Sequence, residues 1–179
     1  MRIIGGFLGG RRLEISPKLK ARPTTDIAKE ALFNILANRF EFEKLSVLDL
    51  FSGTGSISFE FYSRGATDIT SIELNRFNNL YIKKNAEKLG IQNLKILQKD
   101  ALSFLAKAKP NSFDIIFADP PFDYSHRFKI VDAVFSNHLL KANGLLIVEH
   151  EPKDNYELSP YFMELRQYGK VNFSFFHNP

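Results

Sequence analysis

The sequence predicts an α/β domain built on a mostly parallel, seven-stranded sheet with helices on both faces. Three observations carry that prediction. From Leu45 onward, short apolar runs alternate with helix-like stretches. The runs are almost continuously apolar, as expected of parallel strands covered on both faces. The first two helical stretches stop at Gly65 and Gly90, the residue type that closes helices in the left-handed conformation.

The elements follow in order. Arg2-Ile3-Ile4 and Arg12-Leu13-Glu14-Ile15 are β-like pieces separated by Gly5-Gly6 and Gly9-Gly10, which predicts an N-terminal β-hairpin. Thr24, Thr25 and Asp26 are candidate N-caps for a helix whose apolar face is Ala28, Ala31, Leu32, Ile35 and Leu36. Val47–Leu50 reads as a strand, Ser56–Arg64 as a helix, Ile69–Leu74 as a strand and Arg76–Leu89 as a helix. Leu94–Leu97 is a strand, Ala101–Lys107 a short helix and Phe113–Ala118 the fourth strand. Phe128, Val131, Val134, Phe135 and Leu139 mark the next helix, and Gly144–Val148 is the fifth strand. Tyr161–Arg166 and Val171–Phe176 flank Gly169 and predict a closing antiparallel pair. The organisation expected is a single domain over residues 1–179, with residues 1–22 as a basic appendage and 23–179 as the core.

Composition narrows the chemistry. At 179 residues, 44% apolar and 25% charged, the chain can bury a substantial core. It has no cysteine, which excludes disulfides, thiolate zinc sites and cysteine nucleophiles. The four histidines, His126, His138, His150 and His177, show no metal-ligand spacing, so no metal is expected. His150, between Glu149 and Glu151, is expected to serve a surface or capping role. No apolar run approaches a membrane span or a signal peptide, so the expected location is the cytoplasm, with no membrane partner. Residues 1–22 carry six basic residues (Arg2, Arg11, Arg12, Lys18, Lys20, Arg22) against one acid, whereas the remainder carries 18 against 19. Such a basic segment on a neutral body is the footprint of a polyanion-binding arm, or simply a solvated basic terminus.

In an open α/β sheet, ligands bind beyond the carboxyl ends of the strands. Four successive strand ends carry an acid: Asp49, Glu73, Asp100 and Asp119. Asp49 opens a glycine loop, Asp49-Leu50-Phe51-Ser52-Gly53-Thr54-Gly55, in which the lack of side chains at Gly53 and Gly55 admits a ligand to the backbone. A dinucleotide site wants a third glycine, but position 58 is Ser, and no Gly-Lys-Ser/Thr follows to make a P-loop. Glu73, before Leu74, stands where a carboxylate accepts ribose hydroxyls. Asp100, before Ala101, can read an adenine edge. Together these suit a nucleoside without phosphate that carries an amino-acid portion, and S-adenosylmethionine fits. Beyond the fourth strand lies Asp119-Pro120-Pro121-Phe122. The prolines stiffen the backbone, Asp119 and the neighbouring carbonyls can accept hydrogen bonds from an exocyclic amine, and Phe122 offers a stacking face. A stiff strand-ending turn would explain the same four residues.

The ordered set Asp49 to Gly55, Glu73, Asp100 and Asp119 to Phe122 resembles class I S-adenosylmethionine-dependent methyltransferases. The chain more closely resembles the RsmD family of bacterial 16S rRNA guanine-N2 methyltransferases. Arg2-Ile3-Ile4-Gly5-Gly6, Gly10-Arg11-Arg12-Leu13, Arg22-Pro23-Thr24 and Lys29 to Leu36 carry that likeness, with Ser63-Arg64-Gly65-Ala66 and the clamp. It implies a Rossmann-like methyltransferase fold. Asp49, Phe51, Gly53, Gly55, Glu73, Leu74, Asp100, Ala101 and Thr25 would lie at the cofactor, Asp119 to Phe122 at the target base, and the basic residues of the first 22 on rRNA. S-adenosylhomocysteine would be the product, and the partner 16S rRNA within a small subunit or assembly intermediate. Lys29 stands where that family usually has Arg, Ser58 where it usually has Gly, and the chain diverges after His150. The rival readings are a DNA or RNA adenine-N6 or cytosine-N4 amino-methyltransferase, a nicotinamide-dependent oxidoreductase and a non-catalytic RNA-binding module.

Overall fold

A computed structural model describes residues 1–15 and 24–177. Its elements are α1 (Asp26–Ala37), a 3₁₀ turn (Phe42–Lys44), β1 (Ser46–Leu50), α2 (Ser56–Ser63), β2 (Asp68–Ile72) and α3 (Arg76–Lys88). They continue with β3 (Leu94–Leu97), α4 (Ala101–Leu105), β4 (Phe113–Ala118), α5 (Lys129–Ser136), β5 (Leu140–His150), β6 (Phe162–Tyr168) and β7 (Val171–Phe176). The strands form one sheet in the order β3-β2-β1-β4-β5-β7-β6. The first five are parallel, whereas β7 runs antiparallel to both β5 and β6. The chain steps outward from β1 to β3, then returns to lay β4 on the other side of β1. That reversal opens a crevice between the carboxyl ends of β1 and β4.

Each layer follows from side-chain period. In α1, Ala28, Leu32 and Leu36 recur every four residues and are buried with Phe33, while Thr25 caps the first turn by accepting from the Ala28 N–H at 3.2 Å. Along β4 and β5, alternate residues enter opposite cores. Ile116, Ala118, Leu146 and Val148 pack with α4 and α5, and Ile115, Phe117 and Ile147 pack with α1 and α2. Fully burying one such Phe or Leu contributes about 1.5–3 kcal/mol.

Several boundaries differ from the sequence expectation. Strand β2 stops at Ile72, so Glu73 and Leu74 lie past its end. Strand β5 begins at Leu140 and ends at His150, longer at both ends than the apolar run, because it is paired to β4 on one side and to β7 on the other. Phe128 caps α5 and Leu139 falls beyond it.

The N-terminal segment forms the expected hairpin, a short one: among the described residues it has one antiparallel bridge, Arg2 to Arg12, with Ile3 N donating to the Arg11 carbonyl at 3.0 Å and Leu13 N to the Met1 carbonyl at 3.1 Å. Buried side chains take further backbone donors of the hairpin. The Glu60 carboxylate accepts from Ile4 N at 2.7 Å and Gly5 N at 2.8 Å, and Ser63 Oγ accepts from Leu8 N at 2.9 Å. Gly6 sits at φ +73°, where a Cβ would fall 1.8 Å from the Ser63 carbonyl oxygen, so only glycine lets this segment lie flat on α2. Ile3 and Leu13 are buried against Phe59, Ile82 and Ala86, which clamps the segment to α2 and α3. Lys29, wholly buried, ties it to α1 by donating to the Arg2 carbonyl at 2.8 Å and to Ser56 Oγ at 2.9 Å. Burial pushes its ammonium pKa down, against the pull of Glu60.

Candidate active site

The acids expected at the strand ends divide into different tasks. The Asp49 carboxylate, 1% exposed, is turned onto the first turn of α2, where it accepts from Ser58 N at 3.1 Å and Ser58 Oγ at 2.6 Å. Burial lifts its pKa to about 7, against the lowering effect of those two hydrogen bonds. Ser58 therefore supplies a donor that a glycine would lack. The loop between β1 and α2 turns by three positive-φ residues, Phe51 (58°), Gly53 (53°) and Gly55 (76°). A Cβ on Gly55 would meet Phe59 at 2.8 Å, whereas one on Gly53 would meet nothing closer than 3.7 Å. The loop thus packs tightly on the protein side at Gly55 and leaves the Gly53 backbone open.

Glu73 anchors that loop. Its carboxylate accepts from Gly53 N at 2.7 Å and from Asn75 N at 2.6 Å. Burial raises its pKa, and these backbone donors partly offset the rise. Leu74, beside it, is 63% exposed, a flat apolar surface at the rim. Asp100 caps α4 through Ser103 N at 2.8 Å, with Ala101 buried behind it. Across the crevice, the Phe51 ring meets the edge of Tyr124 at 5.1 Å. An acid flanked by an exposed Leu, a second acid with a buried Ala, and an open glycine backbone suit a sugar diol, an adenine edge and an amino-acid portion. The residues present fit S-adenosylmethionine.

Asp119 lies one residue beyond β4, its N–H 3.4 Å from the Leu50 carbonyl of β1. Among the described residues its carboxylate makes no hydrogen bond. Burial first, then the charges of Glu149 and Asp49, hold its pKa well above the usual carboxylate range. Pro120 is buried and Pro121 exposed. The Pro121 carbonyl accepts from Tyr124 N at 2.8 Å, closing a turn, while no described residue donates to the Pro120 carbonyl. Phe122 is 54% exposed. Arg127 braces this loop, donating to the Phe122 carbonyl at 2.7 Å and pairing with Asp154 at 3.1 Å.

Two residues at the rim escaped sequence reasoning. Glu149, 7% exposed, is the penultimate residue of β5, next to the strand whose end Asp119 follows, and its Oε2 accepts from Thr24 Oγ1 at 2.6 Å. Burial lifts it to about 7, with the Thr24 bond opposing. The strand-end rule that singled out four acids, applied once more to the fifth strand, would have found it. Thr24 is the other; its neighbour Thr25, expected at the cofactor, spends its hydroxyl on the α1 cap. His150 is buried rather than at the surface, its ring nitrogens at 2.9 Å from the Glu151 carbonyl and 2.8 Å from Ser174 Oγ, and burial lowers its pKa.

Of the basic residues expected on RNA, Arg11 and Arg12 are exposed, and Arg2 is exposed while pairing with Asp26 at 3.0 Å. Lys18, Lys20 and Arg22 lie outside the described residues. Two cavities lie away from the crevice. One of about 460 Å³ sits at the opposite strand ends by Arg39, Lys44 and Asp114, and one of about 310 Å³ by Lys83, Ile91 and Ile96. No group of three or more His, Asp or Glu among the described residues is placed to hold a metal ion.

The sheet order and layers are those of class I methyltransferases. Residues 1–177 match the family model described as "Conserved hypothetical protein 95". The chain is 32% identical to Ribosomal RNA small subunit methyltransferase D of Buchnera aphidicola subsp. Baizongia pistaciae, over 99% of this chain and 92% of that protein. It is 34% identical to the Escherichia coli K12 protein of the same name, over 89% of this chain and 79% of that one. The solved structure of the Escherichia coli protein yhhF superposes with a TM-score of 0.83 at 33% identity, covering 98% of this chain and 96% of that one.

Proposed function

The chain belongs to the ribosomal RNA small subunit methyltransferase D (RsmD) family, and we propose that it transfers the methyl group of S-adenosylmethionine to the exocyclic N2 of a guanine in 16S rRNA. The observation that carries this reading is the Asp119 carboxylate. It is half-buried at the sheet's switch point, stiffened by Pro120 and Pro121, and bonded to no described residue. Its oxygens can accept the N–H groups of an exocyclic amine.

When bound, S-adenosylmethionine supplies a methyl group already activated on a sulfonium sulfur. Gly53 and Gly55 would hold its amino-acid portion, with Asp49 and Phe51 shaping the loop. Glu73 would take the ribose hydroxyls, and Leu74, Asp100 and Ala101 the adenine. The chain's task at the target is to position and desolvate a weak nucleophile. Asp119 and the Pro120 carbonyl accept the two N–H groups of the guanine amine, which turns its lone pair toward the methyl, while Phe122 stacks on the ring. Because the crevice is reached only by a base drawn out of a helix or held in a loop, the target nucleotide must be unstacked.

Arg2, Arg11 and Arg12 lie on a segment fixed to α2 and α3, where they can meet RNA phosphates, and Lys18, Lys20 and Arg22 add charge to the same stretch. One domain spans the chain in this reading. The substrate is the rRNA of a small subunit or an assembly intermediate, and the enzyme works in the cytoplasm. No helix among the described residues is long and apolar enough to cross a membrane.

The test incubates the protein with methyl-labelled S-adenosylmethionine and small subunits lacking the modification, then maps the label by mass spectrometry. N2-methylguanosine at one nucleotide is expected. Label on N6-methyladenosine or N4-methylcytidine would hand the site to the rival amino-methyltransferase reading, and an unlabelled product would favour a non-catalytic RNA-binding protein.

A further inference from the structure

Asp119 and Glu149 stand side by side at the ends of adjacent strands. In the parallel register of β4 and β5, Ala118 is paired with Val148, so the next residues, Asp119 and Glu149, share the next rung. Their faces also match. Phe117 and Ile147, two residues earlier on each strand, both enter the core under α1 and α2, so side-chain alternation sends Asp119 and Glu149 to that same side. The Glu149–Thr24 bond agrees with that direction, because Thr24 leads directly into α1. Adjacent strands lie about 4.8 Å apart, a span from which two carboxylates can converge on neighbouring donors. Thr24 holds Oε2, and no described residue donates to Oε1.

We infer that Glu149 accepts the N1–H of the target guanine beside the amine held by Asp119, and so makes this site selective for guanine. The inference rests on the proposed guanine-N2 transfer and adds the residue that gives it specificity. Asp119 alone accepts an amine from any base that carries one. Guanine, however, offers two adjacent donors on its Watson–Crick edge, N1–H and N2–H, whereas the ring nitrogen beside the amine of adenine or 2-aminopurine is an acceptor. An acceptor laid against Glu149 leaves a buried carboxylate facing a lone pair, the arrangement that sites built around a hydrogen bond reject most strongly. The electrostatics agree: burial holds both carboxyls above their ordinary range, and Glu149 is a leading charge acting on Asp119. Two N–H donors spanning the pair would relieve that repulsion.

The test compares guanine with 2-aminopurine and 2,6-diaminopurine at the mapped nucleotide of the RNA substrate. All three carry the 2-amino group, but only guanine has N1–H. Wild-type enzyme should prefer guanine by roughly 10- to 150-fold in kcat/KM, the range for one charge-assisted hydrogen bond. Glu149→Gln, whose amide can donate to an unprotonated N1, should narrow the preference to within about 3-fold, with S-adenosylmethionine affinity unchanged. Equal use of guanine and the analogues by the wild type overturns the inference while leaving guanine-N2 transfer intact. An equal loss on all three substrates in Glu149→Gln overturns it too, because it would mark Glu149 as structural support. Should the variant not fold, the wild-type ratio alone decides. Absence of N2-methylguanosine in the mapping experiment removes both the reaction and its specificity residue.

Discussion

Replacing Glu60 by alanine should release the N-terminal segment from the body of the protein. Glu60 is fully buried, and its two oxygens serve four partners. Oε2 accepts from Ile4 N at 2.7 Å and lies 3.6 Å from Lys29 Nζ, and Oε1 accepts from Gly5 N at 2.8 Å and from Arg64 Nε at 3.0 Å. Alanine would strand the buried Lys29 ammonium, whose side chain is wholly enclosed, together with two backbone N–H groups. Removing one partner of a buried ion pair costs about 3–5 kcal/mol. At about 2–4 °C per kcal/mol for a chain of this size, the melting temperature should fall by roughly 6–20 °C. Glu60→Gln keeps the shape and one acceptor, so its loss should be smaller. Calorimetry gives the total, and hydrogen exchange locates it: the Ile4, Gly5 and Leu8 amides should lose protection before the amides of β4 do. A melting temperature within about 2 °C of wild type, less than 1 kcal/mol on the same scale, or unchanged protection at Ile4 and Gly5, would refute the view that this carboxylate seats the segment.

Two further predictions concern charge. Converting Arg11 and Arg12 together to alanine should weaken RNA binding and reduce the slope of log affinity against log salt by roughly 1.4–1.8, about 0.7–0.9 for each phosphate no longer neutralised; filter binding across a salt series reads it, and an unchanged slope, or an equal loss of S-adenosylmethionine affinity, would count against these residues as phosphate ligands. The ligand-free protein should lose stability as pH rises from about 4 to 7, because Asp49 and Glu149, both lifted to about 7, hold protons in the folded state that the unfolded chain has already released. Asp49→Asn keeps an acceptor for Ser58 and should match wild type near pH 4, then exceed it above pH 7 by at most about 4 kcal/mol, taking 1.36 kcal/mol for each of about three pKa units; urea denaturation at the two pH values showing no such divergence would mean that Asp49 is not held protonated.

The parallel sheet was legible because buried strands leave continuous apolar runs, and the helix ends because Thr25, Gly65 and Gly90 are local signals. The segment Asp119 to Phe122 stood out for a similar reason: it is contiguous, and its stiffness comes from its own prolines. What escaped was every relation between distant residues. The N-terminal pieces read as a hairpin from their own glycines and do pair, but nothing local signalled that Glu60 and Ser63 would seat that hairpin on α2. Asp49 and Asp119 look alike as strand-end acids, yet one is bonded to Ser58 and the other to no described residue.

The sequence by itself determined the α/β plan, the glycine loop and the residue types along the rim, since each depends on neighbours within a few positions. Only the tertiary structure decided which acids face one another. Strand register set Glu149 beside Asp119, although a helix and most of a strand separate them along the chain, and Glu149 meets Thr24 there. Register is fixed by the packing of whole strands between two helical layers. A pair of carboxyls able to read two adjacent donors is therefore a property of the assembled sheet.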